Sequence, residues 1–357
     1  MNAKERVKAA LGHRQPDRVP VDFWCERSVR QRLKDHLGLV TDEDLLRRLH
    51  IDVRNIYPEY AGPELKTFPD GSYEDFWGVI RRPVRNPFGI HYEVAFNPFS
   101  EDASLKAVEK YRWPRAEWFD YSSLEKMLQK YGDYGICIGK MGIETQTFFI
   151  QTWYLRGLEK ILADMIVSPH IVDLLISRIL DFRREHVREI LKTVKGRVEW
   201  VQLADDYGTQ NGLFLSTDLW RRYFRDPIAQ TADMIHAHGI KVFLHSCGSI
   251  RALIPDLIDA GIDILNPIQV TARGMDPVEI KRDYGDRICL HGTIDTQRVL
   301  SSGSPEDVKK EVFTMLEQLG CNGGFILSTT HTIEQDIPLE NIIAIYDSVY
   351  EYYGLDS

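Results

Sequence analysis

KVFLHSCG, residues 241–248, is the stretch whose reading decides the fold. Val242, Phe243 and Leu244 make an apolar run too short for a buried helix, and it ends in polar residues. That is the pattern of a parallel strand buried on both faces. The pattern recurs in VEWVQLADD (198–206), IDILNPIQ (262–269), RICLHGTID (287–295) and GGFILSTTH (323–331). Helical stretches lie between these runs, among them LWRRYFRDPIAQTADMIHAHG (219–239) and SPEDVKKEVFTMLEQLG (304–320). The second opens on Ser-Pro and closes on Gly, which are start and stop signals for a helix. Further toward the N-terminus, DRVPVDFWCE (17–26), HIDVRNIYP (50–58) and YGICIGKMG (134–142) bring the strand count to eight. Eight strands alternating with helices predict an α/β fold, a closed (β/α)8 TIM barrel. A doubly wound open sheet needs a phosphate-binding Gly loop after its first strand, and FWCERS supplies none.

One segment interrupts the alternation. DGSYEDFWGVIRRPVRNPFGIHYEVAFNPFS carries Asp-Gly and Asn-Pro turn signals between aromatic, alternating runs. It predicts a β-hairpin insertion at about 59–118, after the second barrel strand, walling one side of the barrel mouth. The chain is thus expected to be a single domain over 1–357.

Composition narrows the function classes. The 357 residues are 43% hydrophobic and 27% charged, which is globular and long enough for a large core. A net charge of −9 argues against nucleic acid and against a basic membrane-surface patch. No run approaches the 18 or so apolar residues of a membrane span, and the charged N-terminus lacks the apolar core of a signal peptide. Cys25, Cys137, Cys247, Cys289 and Cys321 are odd in number and scattered, unlike a disulfide framework, and fit a reducing cytoplasm.

In a TIM barrel the chemistry sits at the C-terminal ends of the strands. The residues there are Asp205 and Asp206, His245 and Cys247, Asn266 and Gln269, His291 and Asp295, Thr330 and His331. Side chains at i and i+2 of a strand share a face, so His245 and Cys247 can converge on one ion. Zinc accepts imidazole and thiolate together, and its catalytic sites keep three protein ligands with one open place. A buried cysteine is also ordinary core filling, so the reading requires a third ligand, for which His331 is the candidate. Asp205 and Asp206 point to opposite faces; one faces the mouth and the other caps a following element. Asp206 and Glu144 are the candidates for a general acid or a further metal ligand. Phe148, Phe149, Trp153 and Tyr154 either wall a planar substrate or pack a helix on the barrel.

KERVKAALGHRQPDRVPVDFW, EDFWGV, YRWPRAEWFDY, LADDYGTQNGLFLS, HSCGSIRALIPDLIDAGIDILNPIQ, LHGTIDTQ and GGFILSTTHTIEQDIPLENII span nearly the whole chain. Together they resemble the uroporphyrinogen decarboxylase superfamily, which also contains cobalamin-dependent methyltransferases. The resemblance implies a (β/α)8 barrel. The methyltransferase branch binds zinc through a His-x-Cys pair, matched by His245 and Cys247, and a later Cys, where this chain has His331. The decarboxylase branch grips its substrate with arginines in an R-Q-A-G-R-Y segment after the first strand; here WCERSVRQRL stands instead. Its Asp and Tyr are similar to Asp52 and Tyr154, and His331 matches one of its histidines.

A substrate with eight carboxylates needs many guanidinium groups, because unpaired buried carboxylates are costly. Arg27, Arg30 and Arg54 remain, either to pair with a smaller anion or to lie on the solvated surface. The resemblance therefore implies a zinc-assisted methyltransferase working with a corrinoid on a partner protein and a small-molecule methyl donor or acceptor. The alternative it leaves is a cofactor-independent decarboxylase using Asp52, Tyr154 and His331. The decarboxylase branch is dimeric, so a homodimer is the implied assembly.

Overall fold

The computed structural model describes residues 1–86, 89–139, 145 and 147–355. Its first strand is β1 (Val53–Ile56). Next come β2 (Glu59–Tyr60), β3 (Tyr73–Glu74), β4 (Ile80–Asn86), β5 (Gly89–Phe96) and β6 (Phe119–Asp120). The remaining strands are β7 (Gly135–Ile138), β8 (Trp200–Ala204), β9 (Lys241–His245), β10 (Ile264–Asn266), β11 (Cys289–His291) and β12 (Phe325–Ile326). A seven-stranded sheet of order β1-β7-β8-β9-β10-β11-β12 has every pairing parallel, with helices in the connections. This curled parallel sheet is TIM-barrel-like.

The expected strand at 17–26 is a correction. It forms only isolated bridges, Val21 with Leu327 and Cys25 with Ile333. Pro16 and Pro20 lack the N–H groups that a regular ladder needs. The segment still bonds to both edges of the sheet. Asp22 N–H donates to Leu327 O at 3.0 Å and Leu327 N–H to Pro20 O at 2.9 Å, while Asp52 N–H donates to Val21 O at 3.0 Å.

The interior follows the two-residue period of the strands. Trp24, Val53, Cys137, Trp200, Phe243, Ile264, Cys289 and Ile326 form one apolar cluster enclosed by the sheet. The N-terminal helix Ala3–Leu11, opened by a reciprocal Asn2–Glu5 cap, closes its floor with Val7, Ala10 and Leu11. A second, larger cluster lies between the strands and the surrounding helices. Helix Pro305–Leu319 starts on the Ser304 cap and stops at Gly320.

Between β1 and β7, β3, β4 and β5 form a three-stranded antiparallel sheet, and β2 pairs with β6. Trp77 anchors this part, fully buried edge-on against Phe182 at 5.1 Å. Asn86, Gly89 and His91 line a cleft together with Glu26 and Gln335, so the β4–β5 end lies over the rim of the parallel sheet.

Candidate metal centre

β8 and β9 are adjacent and in register, with Ala204 opposite His245. Two residues past Ala204, on the same face, is Asp206; two past His245 is Cys247. The loops after these strands bring the three side chains together. Asp206, His245 and Cys247 each offer a ligand atom, and these atoms lie within 4.8 Å of one another. Cys247 Sγ is 3.3 Å from His245 Nε2, and Asp206 Oδ1 is 3.8 Å from the same nitrogen. Asp206 Oδ1 also accepts the Cys247 N–H at 2.8 Å.

The two loops are fastened to each other by backbone and side-chain hydrogen bonds. Ser249 N–H donates to Thr209 O at 2.8 Å, and Tyr207 N–H to Ser246 Oγ at 3.1 Å. Gly248 has φ +88°, and a Cβ there would fall 2.5 Å from the Gly208 carbonyl carbon. Only glycine permits both that conformation and that approach.

Neighbouring Asp205 points the other way and caps helix Phe149–Arg156. Its buried carboxylate accepts the N–H groups of Phe148, Phe149 and Ile150 at 2.8, 2.9 and 2.6 Å, and the Tyr207 hydroxyl at 2.8 Å. The Asp pair therefore divides as strand alternation requires: Asp205 holds the fold, and Asp206 faces the cluster.

Burial dominates the electrostatics. It lowers the basicity of His245 against the opposing field of Asp206, and pushes the Cys247 thiol well up, with the Asp206 carboxylate adding to the rise. Alone, the trio is a neutral imidazole, a thiol and a carboxylate. A divalent cation reverses the balance at sulfur, because a coordinated thiol is deprotonated outright. One nitrogen, one sulfur and one oxygen donor match the ligand types of zinc. His245 Nδ1 lies 2.5 Å from Asn266 Oδ1, leaving Nε2 toward the other two donors.

The other sequence candidates fall elsewhere. His331 is outside the three-donor group; its Nδ1 lies 3.2 Å from Thr332 O and 3.5 Å from Glu334, and its side chain is half exposed. Asp52 sits at the N-terminal end of β1, away from the strand ends that carry the cluster. There Arg18 at 2.7 Å, Arg6 at 2.6 Å and the Val21 N–H at 2.9 Å surround it. Tyr154 lies with its ring under the Arg81 guanidinium, 4.6 Å from the centroid. Phe148 and Phe149 are fully buried and pack the helix on the barrel, Phe149 stacking on Tyr207. Glu144 lies outside the described residues.

Among the described residues, Thr332 lines two of the cavities at the mouth. The larger, about 810 Å³, is bounded by Trp24, Tyr57, Met127 and Gln202, with Arg27 and Arg30 at its edge. The smaller, about 280 Å³, is lined by His331, Gln297, Glu334 and Gln269. Gln269 Oε1 accepts the Gly248 N–H at 2.7 Å, which ties that cavity to the cluster loop. Arg54 is fully buried, paired with Glu43 at 2.9 Å and stacked on Tyr134, so it does not serve the mouth.

The sequence reading missed Asp22, 1% exposed and in contact with His291, and Tyr57, whose hydroxyl meets buried His186 at 2.7 Å. The available signal for Asp22 was a charge inside an apolar run, since a fully buried carboxylate is rare without a partner.

Comparison with known proteins places the chain in a family. A family model described as uroporphyrinogen decarboxylase (URO-D) matches residues 148–352. The chain is 27% identical over 162 residues to methylcobamide:CoM methyltransferase MtaA of Methanosarcina barkeri, a match spanning 45% of this chain and only 44% of that protein. It is 23% identical to a uroporphyrinogen decarboxylase of Methylococcus capsulatus, over 97% of both. A solved methyltransferase from Methanosarcina mazei superposes with a TM-score of 0.70 over 99% of each chain, at 17% identity, which is a likeness of fold. No helix among the described residues is long and apolar enough to cross a membrane.

Proposed function

Because the chain belongs to the uroporphyrinogen decarboxylase (URO-D) family, we propose that it is a cytoplasmic methyltransferase of that family, built on a (β/α)8 barrel closed by the 20–26 segment. It moves a methyl group between a small methylated substrate or thiol and a corrinoid carried on a partner protein, with zinc at the mouth. The observation that carries this reading is the convergence of Asp206, His245 and Cys247 within 4.8 Å. The MtaA relative, whose name couples a methylcobamide to CoM, supports the substrate classes.

Zinc held by these three residues would supply Lewis acidity, lowering the pKa of a bound thiol or polarising an ether oxygen. The chain's own residues do the rest. Asp206 fixes the Cys247 main chain, and the Gly208–Gly248 contact holds sulfur and imidazole at one spacing. The 810 Å³ cavity takes the small substrate between apolar walls, and Arg27 and Arg30 offer positive charge to an anionic end.

The full-length decarboxylase relative supports a second reading, decarboxylation of a tetrapyrrole or smaller acid without a cofactor. Against it stands the mouth: among the described lining residues of the larger cavity only Arg27 and Arg30 carry guanidinium groups. Metal analysis of the purified chain with a methyl-transfer assay from methylcobalamin to thiols tests the first reading. About one zinc per chain and loss of transfer in Cys247→Ala are expected. Metal-free protein of unchanged activity, or turnover of uroporphyrinogen without metal or corrinoid, would overturn it.

A further inference from the structure

His245 is the first member of a chain of buried polar side chains that crosses the interior. Its Nδ1 is 2.5 Å from Asn266 Oδ1. Asn266 Nδ2 is 2.8 Å from His291 Nδ1, and His291 Nε2 is 3.1 Å from Asp22 Oδ2. His245, Asn266 and His291 stand on the consecutive strands β9, β10 and β11. Asp22 belongs to the segment that bonds to both edges of the sheet. None of the four is more than 7% exposed. The Trp24 ring lies against both imidazoles, at 6.0 and 5.5 Å, and Phe243 meets His291 edge-on at 5.1 Å.

Every link has a direction, and Asp22 sets it. Its carboxylate accepts the Trp24 indole N–H at 2.8 Å and the Phe23 N–H at 2.8 Å, so it presents only acceptor oxygens to His291. His291 must therefore carry its proton on Nε2 and accept at Nδ1. Asn266 must then offer its NH2 to His291. Its Nδ2 also lies 3.4 Å from the His291 main-chain oxygen, which can only accept, so the amide orientation is fixed twice. Asn266 Oδ1 is left for His245, whose Nδ1 must donate. The lone pair of His245 Nε2 then faces Cys247 Sγ and Asp206.

We propose that Asp22, His291 and Asn266 are positioning residues that hold His245 as its Nδ1–H tautomer, with Nε2 ready to bind a divalent cation before the cation arrives. The identity of that cation rests on the zinc reading above; the tautomer does not. Metal-binding histidines characteristically donate their second N–H to a fixed acceptor, and removing that acceptor weakens metal binding by about 10- to 100-fold. Here the acceptor is itself oriented from across the barrel, through two further side chains. Buried polar groups are costly unless fully paired, and each atom along this route has a partner.

The test reads the imidazole directly. In metal-free protein labelled with 15N at histidine, His245 is expected to show a protonated Nδ1 and a pyridine-like Nε2. Asp22→Asn places an amide NH2 among three donors, so it should mix or invert the His245 tautomers and weaken zinc by about 10- to 100-fold in chelator competition. Asn266→Leu, of similar volume, is the second variant should Asp22→Asn not fold, and the same two changes are expected. Wild-type protein with the Nε2–H tautomer overturns the proposal, as do folded variants with unchanged 15N signature and zinc affinity. Wild type with the expected tautomer and no zinc affinity supports the relay and removes the metal assignment instead.

Discussion

Asp206 Oδ1 accepts the Cys247 main-chain N–H at 2.8 Å, so the carboxylate after one strand holds the thiol after the next. Asp206 thus contributes twice, as a candidate ligand and as the clamp on the loop that carries the sulfur. Asp206→Ala is expected to abolish stoichiometric zinc while lowering stability by only about 1 kcal/mol, the worth of one hydrogen bond. Metal content and thermal melting of the same preparation check this; full zinc occupancy in the variant would remove Asp206 from the ligand set.

A ligand that binds only the folded state stabilises it by about 2.7 kcal/mol at a hundredfold excess over its Kd. Zinc should therefore raise the melting temperature of the wild type by a few degrees, and of Cys247→Ala hardly at all. Equal shifts in the two proteins would indicate binding away from the cluster.

Gly248→Ala is expected to be destabilising well beyond an ordinary loop change. A side chain at φ +88° costs roughly 1–3 kcal/mol, and the new Cβ meets the Gly208 backbone. The loop must then shift and carry Cys247 away from His245. Unfolding in urea and zinc competition should both report the loss, and unchanged zinc affinity would mean that this loop does not set the spacing.

Asp52 is surrounded by Arg6, Arg18 and the Val21 N–H, remote from the strand ends. Asp52→Ala leaves the buried Arg18 without its carboxylate, and breaking a buried pair this way costs about 3–5 kcal/mol. Stability should fall by that order while activity per folded molecule is preserved. Lost turnover in fully folded variant protein would return Asp52 to the chemistry.

Glu311 gives the stability a pH dependence. Burial pushes its carboxyl from the ordinary 4.5 up to about 7, against the Asp295 N–H that it accepts. Its Oε2 has no hydrogen-bond partner among the described residues. The native state keeps a proton that the unfolded chain releases, so this contribution is whole below pH 4.5 and is lost as pH rises through about 7. Glu311→Gln retains an acceptor for Asp295 and cannot ionise. Its stability relative to wild type should grow by on the order of 3 kcal/mol across that window. Urea unfolding at a series of pH values checks it, and parallel profiles would refute it.

Strands that are continuous apolar runs were readable because burial on both faces leaves a strong mark in the sequence. The 17–26 segment was readable as part of the sheet but not as irregular, since its pairing lies with residues more than 300 positions away at Leu327 and Ile333. His245 and Cys247 were legible from their two-residue spacing. Asp206 is already the candidate in the sequence, and the Ala204–His245 register of the folded sheet is what sets it, rather than Asp205, beside His245. Asp52 shows the converse: residue type and neighbourhood matched, but height along the barrel axis is not written in local sequence, while His331 reaches the mouth yet stays outside the three-donor group. Asp22 could be flagged as a charge inside an apolar run, but its partner His291, 269 residues distant, could not be named.

Four backbone bonds of the 20–26 segment run to Leu327 and Ile333, more than 300 residues further along the chain. During synthesis these partners emerge after the strands bearing His245 and Asn266. Asp22 thus gains its full anchorage only once the ring is complete. Until that moment His291 Nε2 lacks its Asp22 acceptor, so on the tautomer proposal above the full orientation of His245 is reached only with β12 in place.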